Sequence, residues 1–214
     1  MFFPPEIVLE ITQYCDAITK SRCRLVCKQW RRCVTWSISE YERQLERAVW
    51  LNYINIVKNL LKTPGVDPSA RRNHAIIYAS ANGHVDLVRL LLKDPRVDPA
   101  AQSNLAISYA SRSGRVEVVR VLLDDPRVNP ADADNRAIQW ACGSGIPPVL
   151  WPRWPELNHR YTAIVEMLLG DPRVDPLASK NEAIHVANAS GRHAIVALLL
   201  KDHRMDPAVA KELE

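Results

Sequence analysis

No stretch of the 214-residue sequence approaches the ~18 uninterrupted apolar residues that a membrane-spanning helix requires. The N-terminal Met1-Phe2-Phe3-Pro4-Pro5-Glu6 lacks a basic n-region and is interrupted by two prolines and a glutamate, so no secretion signal is expected there. Glycine-rich phosphate loops, Gly-x-Ser-x-Gly elbows and His-Glu-x-x-His helices are all missing. The six histidines are scattered, and no His-x-x-x-His pair occurs. Enzyme chemistry therefore has no candidate residues, and no catalytic group, cofactor or metal is expected. Cys23 and Cys27 stand four apart, but a structural zinc site needs four ligands and no histidine lies nearby. With five cysteines, an odd number, and four of them (Cys15, Cys23, Cys27, Cys33) crowded together, reduced thiols in a cytoplasmic or nuclear protein are the expectation.

A one-sided charge is also lacking over most of the chain. The first 39 residues hold Lys20, Arg22, Arg24, Lys28, Arg31 and Arg32 against Glu6, Glu10 and Asp16, and the remainder is nearly neutral. Phosphate-backbone binding needs a basic stripe, so nucleic acid is not an expected partner. A nucleic-acid reading would have to use the basic segment 20–32.

What is present is repetition. Val-Asp-Pro at Val66 and Val97 becomes Val-Asn-Pro at Val128, returns at Val174, and becomes Met-Asp-Pro at Met205. The period is 31, except for one interval of 46 that carries a 15-residue insertion. Asn73, Asn104, Asn135 and Asn181 keep the same register, as do Ala79, Ala110, Ala141 and Ala187, each followed four residues later by Gly83, Gly114, Gly145 and Gly191. Each unit reads as two short helices. The first carries small residues where a neighbour must approach closely and stops at a glycine that can turn left-handed. The second, as in Leu87, Val88, Leu91 and Leu92, must bury an apolar side, and Asp-Pro ends it. Five units are expected, at about 40–68, 69–99, 100–130, 131–176 and 177–207, with 208–214 as a tail. The first is a degraded cap in which Asn52 takes the glycine position.

The stretch Ala79-Ser80-Ala81-Asn82-Gly83-His84-Val85-Asp86-Leu87-Val88-Arg89-Leu90-Leu91-Leu92 resembles the ankyrin-repeat pattern. Thr-Pro-Leu-His is reduced here and the unit is two residues shorter, which implies shortened hairpin fingers. Phe3-Pro4-Pro5-Glu6-Ile7 together with Leu25-Val26-Cys27-Lys28-Gln29-Trp30 resembles an F-box, the motif that docks on the Skp-type adaptor of cullin ubiquitin ligases. Independently of the resemblance, Pro5 with Glu6 makes a good helix start, and Ile7, Ile11 and Tyr14 repeat on one face.

The fold expected is thus all-α: a helical module over residues 1–39, then a solenoid of ankyrin-like repeats over 40–207. The resemblances imply a monomeric substrate receptor. Its repeats would hold a target protein, while Pro4, Pro5, Ile7, Ile11, Leu25, Val26 and Trp30 would engage the ligase adaptor. A plain ankyrin scaffold, its N-terminal helices serving only as a cap, is the alternative.

Within the repeats, positions that vary while the rest holds are the candidate partner-binding residues. One column reads Tyr78, Tyr109, Trp140 and Val186, and Arg71, Arg72, Gln102, Arg112, Asp134, Arg136 and Lys180 change chemistry beside it. Aromatics with arginine are enriched at binding hot spots, although Tyr78 and Tyr109 could instead pack between helices. The insertion, about 146–160, holds Trp151 and Trp154 among four prolines and would either bind a partner or fold back as a lid. Repetition of Asp-Pro-Arg-Val-Asp points to turn structure, with the arginine reaching exposed carbonyls. Asn73 and its equivalents read as helix N-caps or as hydrogen bonders between units.

Overall fold

The computed structural model describes residues 38–143 and 155–205. The chain divides into two compact units, residues 1–41 and 42–214. Ten helices and no strand occur among the described residues: α1 (Ile38–Trp50), α2 (Ile54–Leu61), α3 (Ala70–Asn82), α4 (Val85–Leu92), α5 (Ala101–Arg112), α6 (Val116–Leu123), α7 (Asp132–Cys142), α8 (Pro155–Leu169), α9 (Ala178–Ala189) and α10 (His193–Leu200). The first helices α3, α5, α7 and α9 pack in succession, and the second helices α2, α4, α6, α8 and α10 form a parallel row behind them. None of the ten is long and apolar enough to cross a membrane.

The core is the repeated apolar set. Ala79, Ala110, Ala141 and Ala187 are fully buried where neighbouring first helices meet, and Leu87, Val88 and Leu91 recur as Val118, Val119 and Leu122, then as Ile164, Val165 and Leu168. Val66, Val97, Val128 and Val174 are each 1% exposed, so the turns between units are anchored by a side chain as well as shaped by proline. Short turns replace hairpin fingers throughout the described connections.

At the end of α3, Gly83 lies at φ 81° while the N–H of His84 reaches Ala79 O (3.0 Å) and that of Gly83 reaches Ser80 O (3.2 Å). This double bond satisfies carbonyls that the helix end would otherwise orphan. Asn52 performs the same reversal after α1, at φ 58°. The fourth unit departs from the spacing: α7 stops at Cys142 with Gly143 after it, two residues before the expected Gly145, which lies outside the described residues. Close approach accounts for the glycine, because a Cβ on Gly143 would stand 2.6 Å from Ser190 Oγ and 2.9 Å from Val186 Cγ1. On the far side α8 begins at Pro155, so residues 155–160 of the expected insertion are helical.

Two sets of bonds recur along the repeats, the first joining consecutive units and the second closing each unit on itself. Arg96 forms an ion pair with Asp94 (2.6 Å) and reaches back to Val66 O (2.8 Å) and Leu61 O (3.0 Å) in the unit before. Arg127 repeats this on Asp125, Val97 O and Leu92 O. Arg173 pairs with Asp171 and reaches Val128 O, and Arg204 pairs with Asp202 and reaches Val174 O and Leu169 O. Hydrogen bonding from the guanidinium holds each of these four carboxyls below the usual aspartate range, Asp202 at about 2. The second set comes from the asparagines. Oδ1 of Asn73 accepts the N–H of Asp98, that of Asn104 the N–H of Asn129, and that of Asn135 the N–H of Asp175, each at 2.8 Å.

The asparagines are therefore not N-caps: each ties the start of its unit to the turn that closes the same unit. The reason lies in the backbone. Residues 71–73, 102–104, 133–135 and 179–181 all have φ between 51° and 65°, so each first helix opens with one left-handed turn before the right-handed helix starts. Asparagine tolerates this region better than most residues, and the N–H of Asn73 closes the turn on Ser69 O at 2.8 Å.

Candidate functional site

The variable columns of the first helices supply the candidate site. In unit order they read Tyr78, Tyr109, Trp140, Val186 and His74, Leu105, Arg136, Glu182. Because residues four apart share a helix face, these two columns lie side by side, and the stacking of α3, α5, α7 and α9 continues them from unit to unit.

The structure gathers the expected residues into two groups. In the first, Arg71 Nη1 pairs with Glu46 Oε2 of α1 at 2.9 Å, His74 Nδ1 lies 3.5 Å from Glu46 Oε1, and the His74 ring meets Tyr78 edge-on at 4.4 Å. Tyr78 is 42% exposed. In the second group the Tyr109 and Trp140 rings sit 5.4 Å apart, tilted by 58°. Two guanidiniums approach the Trp140 ring, Arg112 at 5.3 Å and Arg136 at 5.4 Å. Arg136 is fixed by bonds to Ser103 O (2.6 Å), Gln102 O (3.3 Å) and Ser108 Oγ (3.3 Å). The side chain of Gln102 is spent on Arg72 O (3.0 Å), within the backbone.

Tyr109 and Trp140 are half-buried, so they pack between helices and also present ring surface. Val186 continues the column as a half-buried residue, and Arg72, Asp134 and Lys180 are exposed. Trp151 and Trp154 lie outside the described residues, as do Pro4, Pro5, Ile7, Ile11, Leu25, Val26 and Trp30. Sequence reasoning did not identify Glu46 and His74. His74 was findable, since its column varies from unit to unit as that of Arg136 does. Glu46 was not, because the first unit departs from the 31-residue pattern.

A third column is structural. His84, Arg115, Tyr161 and Arg192 occupy equivalent positions in successive units, and each reaches a carbonyl at the end of the first helix of the unit before. His84 Nε2 lies 3.4 Å from Trp50 O, Arg115 Nε donates to Ala81 O (3.1 Å), Tyr161 Oη to Arg112 O (2.8 Å) and Arg192 Nη1 to Ala141 O. Donors at a helix C-terminus meet both orphan carbonyls and the negative end of the dipole. Arg192 is buried over the Tyr161 ring at 4.4 Å, and burial lowers its pKa to about 10, which leaves it charged at neutral pH. Cys142 is buried nearby, and that burial pushes its thiol up to about 12 against the opposing charge of Arg192. No group of three or more His, Cys, Asp or Glu able to hold a metal occurs among the described residues.

Comparison with curated proteins gives no match. Comparison with protein families matches residues 45–137 to ankyrin repeats, in three copies, and residues 3–40 to the F-box domain. Both are non-catalytic modules of protein interaction, and the helix pairs, the glycine-capped first helices and the linked turns described above are those of a helical repeat solenoid. The chain therefore joins an F-box domain at its N-terminal end to a solenoid of ankyrin repeats.

Proposed function

We propose that the chain is a substrate receptor of a cullin-type ubiquitin ligase. Residues 3–33 engage a Skp-type adaptor through Pro4, Pro5, Ile7, Ile11, Leu25, Val26 and Trp30, and the repeats hold the protein to be modified. The observation that carries this reading is the pairing of an F-box match with repeats whose variable face gathers Tyr109, Arg112, Arg136 and Trp140. Aromatic and arginine side chains are the usual content of interface hot spots, and in ankyrin proteins this face lines the concave groove. On this reading the solenoid has five units over about 40–207, the first a cap, and works as a monomer in the cytoplasm or nucleus. Trp151 and Trp154 of the insertion add a further binding feature.

Affinity purification of the full chain with mass spectrometry tests both halves. Adaptor and cullin are expected with the wild type and lost with Trp30→Ala; a target protein is expected with the wild type and lost with Trp140→Ala. Recovery of a target without adaptor would leave a plain ankyrin scaffold. Trp151→Ala with Trp154→Ala should weaken target capture at an unchanged melting temperature; a large drop in melting temperature with capture retained would make the insertion a structural lid.

A further inference from the structure

The two groups on the variable face differ in one respect that bears on the partner's chemistry. Arg71 already has its carboxylate, Glu46, at 2.9 Å. Around Trp140 neither guanidinium has one among the described residues. Arg136 is committed to two carbonyls and a hydroxyl, all neutral. Arg112 is exposed, and its guanidinium rests on the Trp140 ring.

We propose that this shelf takes an acidic segment of the bound protein: a carboxylate side chain bridging to Arg112, with an adjacent apolar or aromatic residue laid on the Trp140 and Tyr109 rings. The inference rests on the reading of this face as the target-binding groove and names the chemistry of what binds there. Arg112 and Arg136 place two positive charges beside one indole. Neither nearby carboxylate pairs with them. Asp132 is occupied by Asn104 Nδ2 (2.9 Å) and by the N–H of Ala133 (2.8 Å), and Asp134 is exposed and forms no ion pair with either arginine. The cation–π contact with Trp140, 5.3 Å from the ring centroid, restrains the Arg112 guanidinium before any ligand arrives, which lowers the rotamer entropy lost on pairing, and a planar fork matches a carboxylate with two parallel bonds. A nucleic-acid strand would need a line of cations matched to successive phosphates. Here the exposed cations Arg72, Arg112 and Lys180 are interrupted by the exposed anions Asp134 and Glu182.

The test is selection of a random peptide library displayed on phage against the full chain, followed by anisotropy titration of the selected peptides. Wild-type protein should select peptides with Asp or Glu next to an apolar or aromatic residue. Arg112→Glu should weaken them about tenfold, a change of about 1.4 kcal/mol, and Arg112→Lys should weaken them less, because charge is kept and the fork is lost. Arg112 is exposed, so both variants should fold as the wild type does, checked by circular dichroism. Selected peptides that depend on Trp140 but carry no acidic residue would overturn the inference and leave the groove reading intact. Peptides indifferent to both Trp140→Ala and Arg112→Glu would remove the groove reading itself. Arg112-dependent binding of a single-stranded RNA oligonucleotide, with no acidic peptide selected, would also overturn the proposal.

Discussion

Arg127→Met isolates the bonds between units, because methionine keeps much of the apolar stem while removing every donor. The wild-type guanidinium gives Nη1 to Val97 O (2.9 Å), Nη2 to Leu92 O (3.0 Å), and Nε and Nη2 to the two oxygens of Asp125 (2.9 and 2.7 Å). After substitution two carbonyls lose their donor, and a carboxylate only 12% exposed keeps just the N–H of residue 127. A hydrogen bond to a charged group contributes about 1.5–3 kcal/mol. The Arg127 side chain is 39% exposed, so water replaces part of what is lost and each bond falls to about 1 kcal/mol. The sum is about 2–4 kcal/mol, which in urea moves the midpoint by roughly 1–2 M. The measurement is equilibrium urea unfolding of the full chain, wild type and variant, with circular dichroism. Because the lost bonds lie between units, the slope of the transition should also fall as neighbours uncouple. Adding Asp125→Asn should recover part of the loss by removing the stranded charge. A destabilisation below about 0.5 kcal/mol would refute the reasoning and class Arg127 with ordinary surface ion pairs.

Three further outcomes are expected. Ala110→Leu places a larger side chain at a fully buried contact between first helices and should cost about 1–3 kcal/mol; thermal unfolding that matches the wild type would contradict the packing of α5 against its neighbours. Acid should weaken the fold through the four paired aspartates, whose folded pKa values are depressed by their arginines. Their contribution is complete above the ordinary aspartate value of 3.8 and is lost as pH falls towards the folded value, about 2 for Asp202, which alone contributes roughly 2 kcal/mol. Acid titration of Asp202→Asn checks this: its stability should vary less between pH 4 and pH 2 than that of the wild type. Cys142, buried with its thiol pKa pushed up to about 12, should resist iodoacetamide at pH 8 in the folded chain and react in urea, as read by peptide mass mapping; rapid labelling of the folded chain would contradict its burial.

The solenoid was legible because its core positions recur. Ala79 and Leu91 are recognisable as core from their copies 31 residues on, and Gly83 as a helix stop from the apolar segment that resumes behind it. Asp94-Pro95-Arg96 was legible as a turn, since proline and an Asx side chain dictate one locally. The left-handed turn at 71–73 was not. Only Asn73 favours that region, Arg71 and Arg72 do not, and the partner that rewards the conformation is the N–H of Asp98, 25 residues away. The start of α8 at Pro155 was hidden by an insertion with no counterpart in other units. The aromatic column was legible as a face, but its division between a group neutralised by Glu46 and a group left cationic at Trp140 depends on contacts between helices that spacing alone does not show.

The recurring bonds between units share a property with consequences for how such a chain can change. Arg96, Arg127, Arg173 and Arg204 reach main-chain carbonyls of the preceding unit, and so do Arg115, Tyr161 and Arg192. Such a joint does not depend on the identity of the neighbour's side chains. Any unit that carries Asp-Pro-Arg can make these bonds to any other, so a segment of one period could be duplicated, deleted or shuffled in frame with these bonds kept at either junction. Columns such as that of Tyr78, Tyr109, Trp140 and Val186 then remain free to vary, because these bonds between units are made to peptide groups that mutation leaves in place.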